Sequence, residues 1–276
     1  MHPPSPSRPP PRELQGFGAT RDRAFALALR LARRAGNMLL KGLPGKRTIK
    51  LKGNPTNIVT EMDVRSEKMI LGAIGREFPG HEVVAEESGH AGKSRFRWFI
   101  DPLDGTVNYA HGLPLFCVSI GFEVDGEMEG GVVYAPALRE LFTARRGRGA
   151  FRNGRRIRCS RQTAMEKSLL CTGFPYAPSG KRRNLSWWSA FLPRAQALRR
   201  LGSAALDLCF TACGVFDGFW EFRLGPWDIA AATLVAREAG ALVTDFPGGT
   251  VDLFKGEVLV ANPTLHRAMK RIIARS

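Results

Sequence analysis

Cysteine is scarce and unpatterned in this chain: Cys117, Cys159, Cys171, Cys209 and Cys213, with no C-x-x-C pair. This excludes a disulfide framework and a zinc ribbon, and points to a reducing, cytoplasmic compartment. Long apolar runs are also lacking. The longest stretch without a formal charge, Gly105 to Phe122, carries Asn108, His111 and Pro114, so no membrane-spanning helix is expected. The first residues hold Pro3, Pro4, Pro6, Pro9, Pro10 and Pro11 but no apolar segment of the kind a secretory signal requires. Acidic residues are in short supply, 25 Asp+Glu against 41 Lys+Arg, which gives a formal net charge of +16. Such an excess favours anionic substrates and polyanionic partners.

What remains is globular material. The 276 residues are 44% hydrophobic and 24% charged, enough for one or two domains with a sizeable core and unlike a disordered chain. Residues 1–18, rich in Pro, Ser and Arg, read as a disordered or polyproline-like extension outside the fold. From Thr20, a plausible N-cap, Phe25, Leu29, Ala32 and Leu39 recur at helical period until Gly42 and Pro44. Thr60 and Asp63 resemble a capping box ahead of a second helix through Val64, Ile70, Ile74 and Phe78. Short strand-like runs follow at residues 82–85, 97–100, 116–124, 130–134 and 141–144. The second half alternates strands near 169–172, 218–222, 242 and 258 with helices near 204–213, 227–239 and 266–274. Layered α/β or α+β packing is expected, with two halves meeting at a cleft.

In so basic a chain the acids in apolar or turn settings stand out. Glu86 follows Val83-Val84-Ala85 and Asp101 follows Trp98-Phe99-Ile100, so both carboxylates leave buried strands at their C-terminal ends, where open sheets place ligands. Asp101-Pro102-Leu103-Asp104-Gly105-Thr106 sets two carboxylates around a proline-fixed turn that can aim the Leu103 carbonyl inward. Asp228 sits in a first helical turn after Pro226, where the helix dipole favours an anion. Singly, each reads as a turn or a cap. Gathered, they would carry a large uncompensated charge without cations, and their oxygens suit Mg²⁺ better than Zn²⁺.

The strings Trp98-Phe-Ile-Asp-Pro-Leu-Asp-Gly-Thr106, Glu86-Glu-Ser88, Asn57-Ile-Val-Thr-Glu-Met-Asp63 and Trp227-Asp-Ile-Ala230 resemble the signature motifs of the inositol monophosphatase family in order and spacing. The resemblance covers roughly residues 20 to 275. It implies an α+β, layered αβαβα fold with mixed and antiparallel sheets, residues 19–276 forming one catalytic domain, and a Mg²⁺-dependent, lithium-sensitive phosphatase that is usually a homodimer. By the same resemblance Glu86, Asp101 and the Leu103 carbonyl hold one metal, Asp101, Asp104 and Asp228 a second, and Glu86 a weaker third. Asp63 and Thr106 orient and deprotonate the attacking water, with Glu86 the remaining catalytic carboxylate. Gly105 and Thr106 grip the phosphate, while Gly202, Ser203, Ala204 and Glu221, with Asp104 and Asp228, line the substrate pocket. Asn57 stands where many relatives carry Asp, and Lys52 matches a basic position near the site.

The expected reaction is hydrolysis of inositol monophosphate to inositol and phosphate. Fructose-1,6-bisphosphatase, or action on another sugar or nucleotide phosphate, is the alternative within the chemistry. The arginines between Arg145 and Arg161 leave a different class open: a solvated basic surface, one that steers phosphates, or one that binds RNA or a transcription complex. Cys209 with Cys213 and Trp187 with Trp188 read as core or interface packing.

Overall fold

A computed structural model describes residues 12–45 and 47–275 of the chain. In chain order the elements are α1 (Arg12–Gly42), β1 (Ile49–Asn54), β2 (Asn57–Thr60), α2 (Glu61–Glu77), β3 (Glu82–Ala85), β4 (Gly89–Ala91), β5 (Phe96–Asp104) and α3 (Thr106–Ala110). Next come β6 (Cys117–Val124), β7 (Glu127–Ala135), β8 (Glu140–Arg145), β9 (Gly149–Arg152), β10 (Arg155–Arg156), β11 (Leu169–Thr172), α4 (Pro178–Phe191) and β12 (Ala197–Arg199). The chain closes with α5 (Ala204–Ala212), β13 (Gly218–Glu221), α6 (Pro226–Glu238), β14 (Leu242–Thr244), β15 (Val258–Ala261) and α7 (Pro263–Arg275).

The layers follow from which faces are apolar. Trp98, Phe99 and Ile100 alternate across β5 and all three are fully buried, so both faces of that strand must be covered. The eight-stranded sheet, ordered β10-β9-β8-β7-β6-β5-β3-β4, is antiparallel except for the parallel β3–β5 pair. Helices α1 and α2 lie on one face over Trp98, Ile100 and Phe122; α5 and α6 lie on the other, near Phe99, Val133 and Phe142. The five-stranded sheet, ordered β12-β11-β13-β15-β14, packs its inner face on α5 and α6. Its outer face holds Leu170, Trp220 and Leu259 against Trp187 and Phe191 of α4 and Leu265 and Met269 of α7. The result is the α–β–α–β–α layering of the expected fold class, with mixed and antiparallel sheets.

Close approach of α6 to the large sheet depends on small residues. A Cβ at Gly131 of β7 would lie 2.5 Å from the Ala231 carbonyl oxygen, so this crossing admits only glycine without displacement of the helix. The Ala230-Ala231-Ala232 stretch supplies the matching surface, fully buried.

The structure extends and corrects the sequence reading at several places. Helix α1 reaches back to Arg12, so residues 12–18, assigned to an extension, are helical and Thr20 lies inside the helix instead of capping it. Arg12-Glu13-Leu14-Gln15 are good helix formers, and prolonging an existing helix is far easier than nucleating one. Residues 1–11 lie outside the described residues. The final helix begins at Pro263, a residue suited to a first helical turn. Helix α4 and the β1–β2 hairpin were not anticipated. Among the described residues no helix is long and apolar enough to cross a membrane.

Candidate active site

Strands β3 and β5 run parallel, so their C-terminal ends emerge at one edge of the sheet. The Glu86 N–H donates to the Ile100 carbonyl at 3.2 Å and docks Glu86 beside Asp101. Beyond Ile100 the ladder with β6 breaks register: Asp101 faces Ser119, but Asp104 faces Cys117. Three steps on β5 therefore match two on β6, a bulge at Pro102-Leu103 where proline offers no ladder donor. The bulge brings Asp101 and Asp104 to one pocket. The Leu103 N–H donates to Asp101 Oδ1 at 2.9 Å and locks the turn.

Asp104 is held from the opposite side of the cleft. Its Oδ2 accepts hydrogen bonds from Ser203 Oγ (2.6 Å) and the Ala205 N–H (2.8 Å) at the start of α5. Asp228 enters from the start of α6, where its Oδ2 accepts the Gly225 N–H at 2.7 Å. Ligand oxygens of Asp101, Asp104 and Asp228 all lie within 4.8 Å of one another. Burial pushes all three carboxyls above the usual range; repulsion from neighbouring carboxylates pushes Asp101 and Asp228 further, so that they are raised furthest, whereas the hydrogen bonds from Ser203 and Ala205 oppose the rise at Asp104. No histidine or thiol belongs to this cluster. A set of buried, mutually repelling carboxylates is matched to a hard divalent cation.

Glu86 shares the cleft but stands outside this trio, engaged by Lys52 Nζ at 2.9 Å. The same ammonium reaches Glu87 Oε1 at 2.5 Å. Burial lifts the Glu86 carboxyl to about 7 against the lowering pull of Lys52. The Lys52 ammonium is raised above its ordinary value by Glu86 and Glu87, although burial opposes this.

Asp63, the third residue of α2, completes a capping box: its Oδ2 accepts the Thr60 N–H (2.8 Å) and the Thr60 hydroxyl (2.5 Å). Its other oxygen meets Thr106 Oγ1 at 2.9 Å, and Thr106 Oγ1 is also 3.0 Å from the Leu103 carbonyl oxygen. The expected Asp63–Thr106 pair is thus formed. Burial raises the Asp63 carboxyl, offset in part by the Thr60 and Thr106 hydrogen bonds. Gly105, at φ +89°, turns the chain into α3; a Cβ there would meet the Leu115 carbonyl oxygen at 2.8 Å.

The cleft encloses about 250 Å³ and is lined by Glu86, Asp101, Leu103, Asp104, Gly105, Thr106, Gly202, Ser203, Ala204, Glu221 and Asp228. Asn57 lines it as well. Glu221 is buried at the end of β13, and burial together with the Asp104 charge lifts it to about 8, with a Gly173 N–H hydrogen bond opposing. Sequence reasoning missed Arg200 and Asp207 of the same cleft, which Tyr176 also lines. Asp207 is fully buried, and neither of its carboxylate oxygens has a hydrogen-bond partner among the described residues. Its signal was an acid inside the apolar run Ala204-Ala-Leu-Asp-Leu208.

Comparison with known proteins agrees with this geometry. The profile of the inositol monophosphatase family matches residues 21–276. The chain is 42% identical over 251 residues to the Nus factor SuhB of Pasteurella multocida, covering 90% of this chain and 93% of that one. It is 41% identical over 228 residues to an inositol-1-monophosphatase of Mesorhizobium japonicum, covering 82% and 85%. The crystal structure of the extragenic suppressor protein suhB from Bartonella henselae superposes with a TM-score of 0.87 at 36% identity, covering 91% of this chain and 98% of that one.

Proposed function

The chain belongs to the inositol monophosphatase family, and from that premise we propose that it hydrolyses the phosphomonoester of a polyol, inositol monophosphate foremost, with Mg²⁺ held by the acidic cluster. The observation that carries this reading is the meeting of the three aspartates and the Asp63–Thr106 pair in one cleft. The donor set fits Mg²⁺: carboxylates and a carbonyl, without soft ligands. Glu86, Asp101 and the Leu103 carbonyl would hold one ion, and Asp101, Asp104 and Asp228 a second. A third would lean on Glu86. Bound there, Mg²⁺ supplies Lewis-acid polarisation of phosphate oxygens and lowers the pKa of a coordinated water.

The chain's own residues do the rest. Thr106, with its hydroxyl proton directed at Asp63, offers an oxygen lone pair to the attacking water and fixes its line of approach. Asp63 is the ultimate proton acceptor, and no covalent phosphoenzyme forms. The Gly105 and Thr106 amides, at the opening of α3, contact the phosphate. Glu221 and the Gly202–Ala204 turn meet hydroxyls of the leaving alcohol. Asn57 contributes a hydrogen-bonding amide but no negative charge. On the strength of the family resemblance we read the protein as a lithium-inhibited homodimer forming one catalytic domain, and from its unpatterned cysteines as cytoplasmic.

Phosphate release from inositol 1-phosphate, fructose 1,6-bisphosphate and adenosine 3′,5′-bisphosphate, each with Mg²⁺, with EDTA and with added Li⁺, tests this reading. Mg²⁺-dependent, Li⁺-inhibited preference for the inositol ester supports it. Preference for either bisphosphate transfers the chemistry to another ester, and no release from any of them overturns it.

A further inference from the structure

Among the described residues, Asp125, Arg139, Asn153 and Arg223 are the non-glycine residues with a left-handed backbone. The first three lie in turns that join neighbouring antiparallel strands, β6 to β7, β7 to β8 and β9 to β10, where the turn itself calls for that conformation. Arg223, at φ +60°, belongs to no hairpin. It follows β13 and lines the catalytic cleft. A long side chain is strained there, whereas glycine would take the same backbone freely. Strain of this kind persists where the side chain does what glycine cannot.

The Arg223 side chain is exposed, and its Nη1 donates to Ser179 Oγ at 3.1 Å, in the first turn of α4. That turn carries no acid. A second guanidinium lines the same cleft from the other side: Arg200 directly follows β12, and its Nη1 lies 3.1 Å from where a Cβ at Gly202 would stand. Strands β12 and β13 flank β11 and run parallel to it, so the two arginines leave the same sheet edge about 10 Å apart, two strand spacings. Neither has an ion-pair partner among the described residues. Each stands two residues from a group assigned above to the leaving alcohol, Gly202 for one and Glu221 for the other. The hydroxyls of a neutral polyol need no guanidinium. Two unpaired forks at that end of the cleft match the oxygens of a further phosphate.

We propose that the cleft also takes phosphomonoesters whose leaving alcohol carries a second phosphate, with Arg223 reading that group and Arg200 assisting. The inference rests on the phosphatase reading and extends its substrates. A water oxygen bonds to the phosphorus of the ester beside Asp63 and Thr106, the ester P–O bond breaks, and the alcohol oxygen leaves with a proton. The second phosphate stays on the alcohol.

The test compares kcat/KM for inositol 1-phosphate and inositol 1,4-bisphosphate in Mg²⁺, by phosphate release, for the parent, R223G and R223K. The parent should hydrolyse both esters. In R223G the ratio of bisphosphate to monophosphate kcat/KM should fall more than tenfold, chiefly through a higher KM for the bisphosphate, and R223K should recover part of it. R223G should melt no lower than the parent, since glycine accepts this backbone without strain. An unchanged ratio overturns the proposal and leaves the phosphatase reading standing. So does a parent that hydrolyses the monophosphate alone, or an R223G that loses both esters alike, which would make Arg223 a structural residue. A parent that hydrolyses neither ester overturns the phosphatase reading and this proposal with it.

Discussion

Replacing Asp101 by Asn should raise the stability of the metal-free protein and remove most of its response to Mg²⁺. Asp101 shares with Asp104 and Asp228 a cluster whose oxygens lie within 4.8 Å of one another. Two unit charges at that distance repel by about 3 kcal/mol at an effective dielectric near 20. Part of this repulsion is already relieved by proton uptake, since burial and repulsion raise these carboxyls. We therefore expect a net gain of about 1–2 kcal/mol for D101N in EDTA, or roughly 2–8 °C in Tm for a domain of this size. The asparagine retains an Oδ1 to accept the Leu103 N–H, so the bulge keeps its lock. In Mg²⁺ the order reverses. A cation present at about 100 times its Kd stabilises the parent by about 2.7 kcal/mol, and the variant should forfeit most of that. Urea denaturation in EDTA and in Mg²⁺ reads both halves. A variant less stable than the parent in EDTA, or with an undiminished Mg²⁺ response, would refute the reasoning.

Three further outcomes follow from the same geometry. Gly131→Ala puts a Cβ 2.5 Å from the Ala231 carbonyl oxygen, so it should cost about 1–3 kcal/mol in urea denaturation. Because α6 carries Asp228, weakened Mg²⁺ binding should accompany that loss. Thr106→Ala removes the hydroxyl between Asp63 and the Leu103 carbonyl; kcat should fall about 10²- to 10⁴-fold while Mg²⁺-induced stabilisation persists, as steady-state kinetics and melting together would show. The His81 Nδ1 accepts the Trp98 indole N–H at 3.1 Å, which requires the neutral ring, and burial lowers its pKa below the ordinary value. As pH falls through about 6.5 the unfolded state takes up this proton first, so stability drops until the folded-state pKa is reached. His81→Asn should flatten that part of the profile, read as the difference in urea midpoint between the two proteins at pH 7.5 and 5.5.

The metal-type acids were legible because local chemistry sets each of them: a strand end, a proline bulge, a first helical turn. The Thr60–Asp63 cap was legible for the same reason, and its second role toward Thr106 followed only from family motifs. Lys52 was noted by resemblance, but its bridge to Glu86 and Glu87 spans more than thirty residues and depends on where the β1–β2 hairpin folds. The first strand of that hairpin begins Ile49-Lys-Leu-Lys52, and its two aliphatic residues, Ile49 and Leu51, are exposed, so no burial in the core marks it. Helix α4 was missed because Gly180, Lys181, Arg182 and Arg183 dilute its apolar signal; Trp187 and Phe191 gain their burial from β13 and α7, far away in sequence. Asp207 and Arg200 reach the cleft only through the packing of the second half on the first.

The central claim is that Asp101 is shared by two divalent cations in one catalytic cleft. Equilibrium binding of Mn²⁺, counted by electron paramagnetic resonance of the free ion, tests it most directly on the parent and D101N. The account expects at least two ions per chain in the parent and loss of both in the variant. No binding by the parent, or unchanged stoichiometry in D101N, would contradict it.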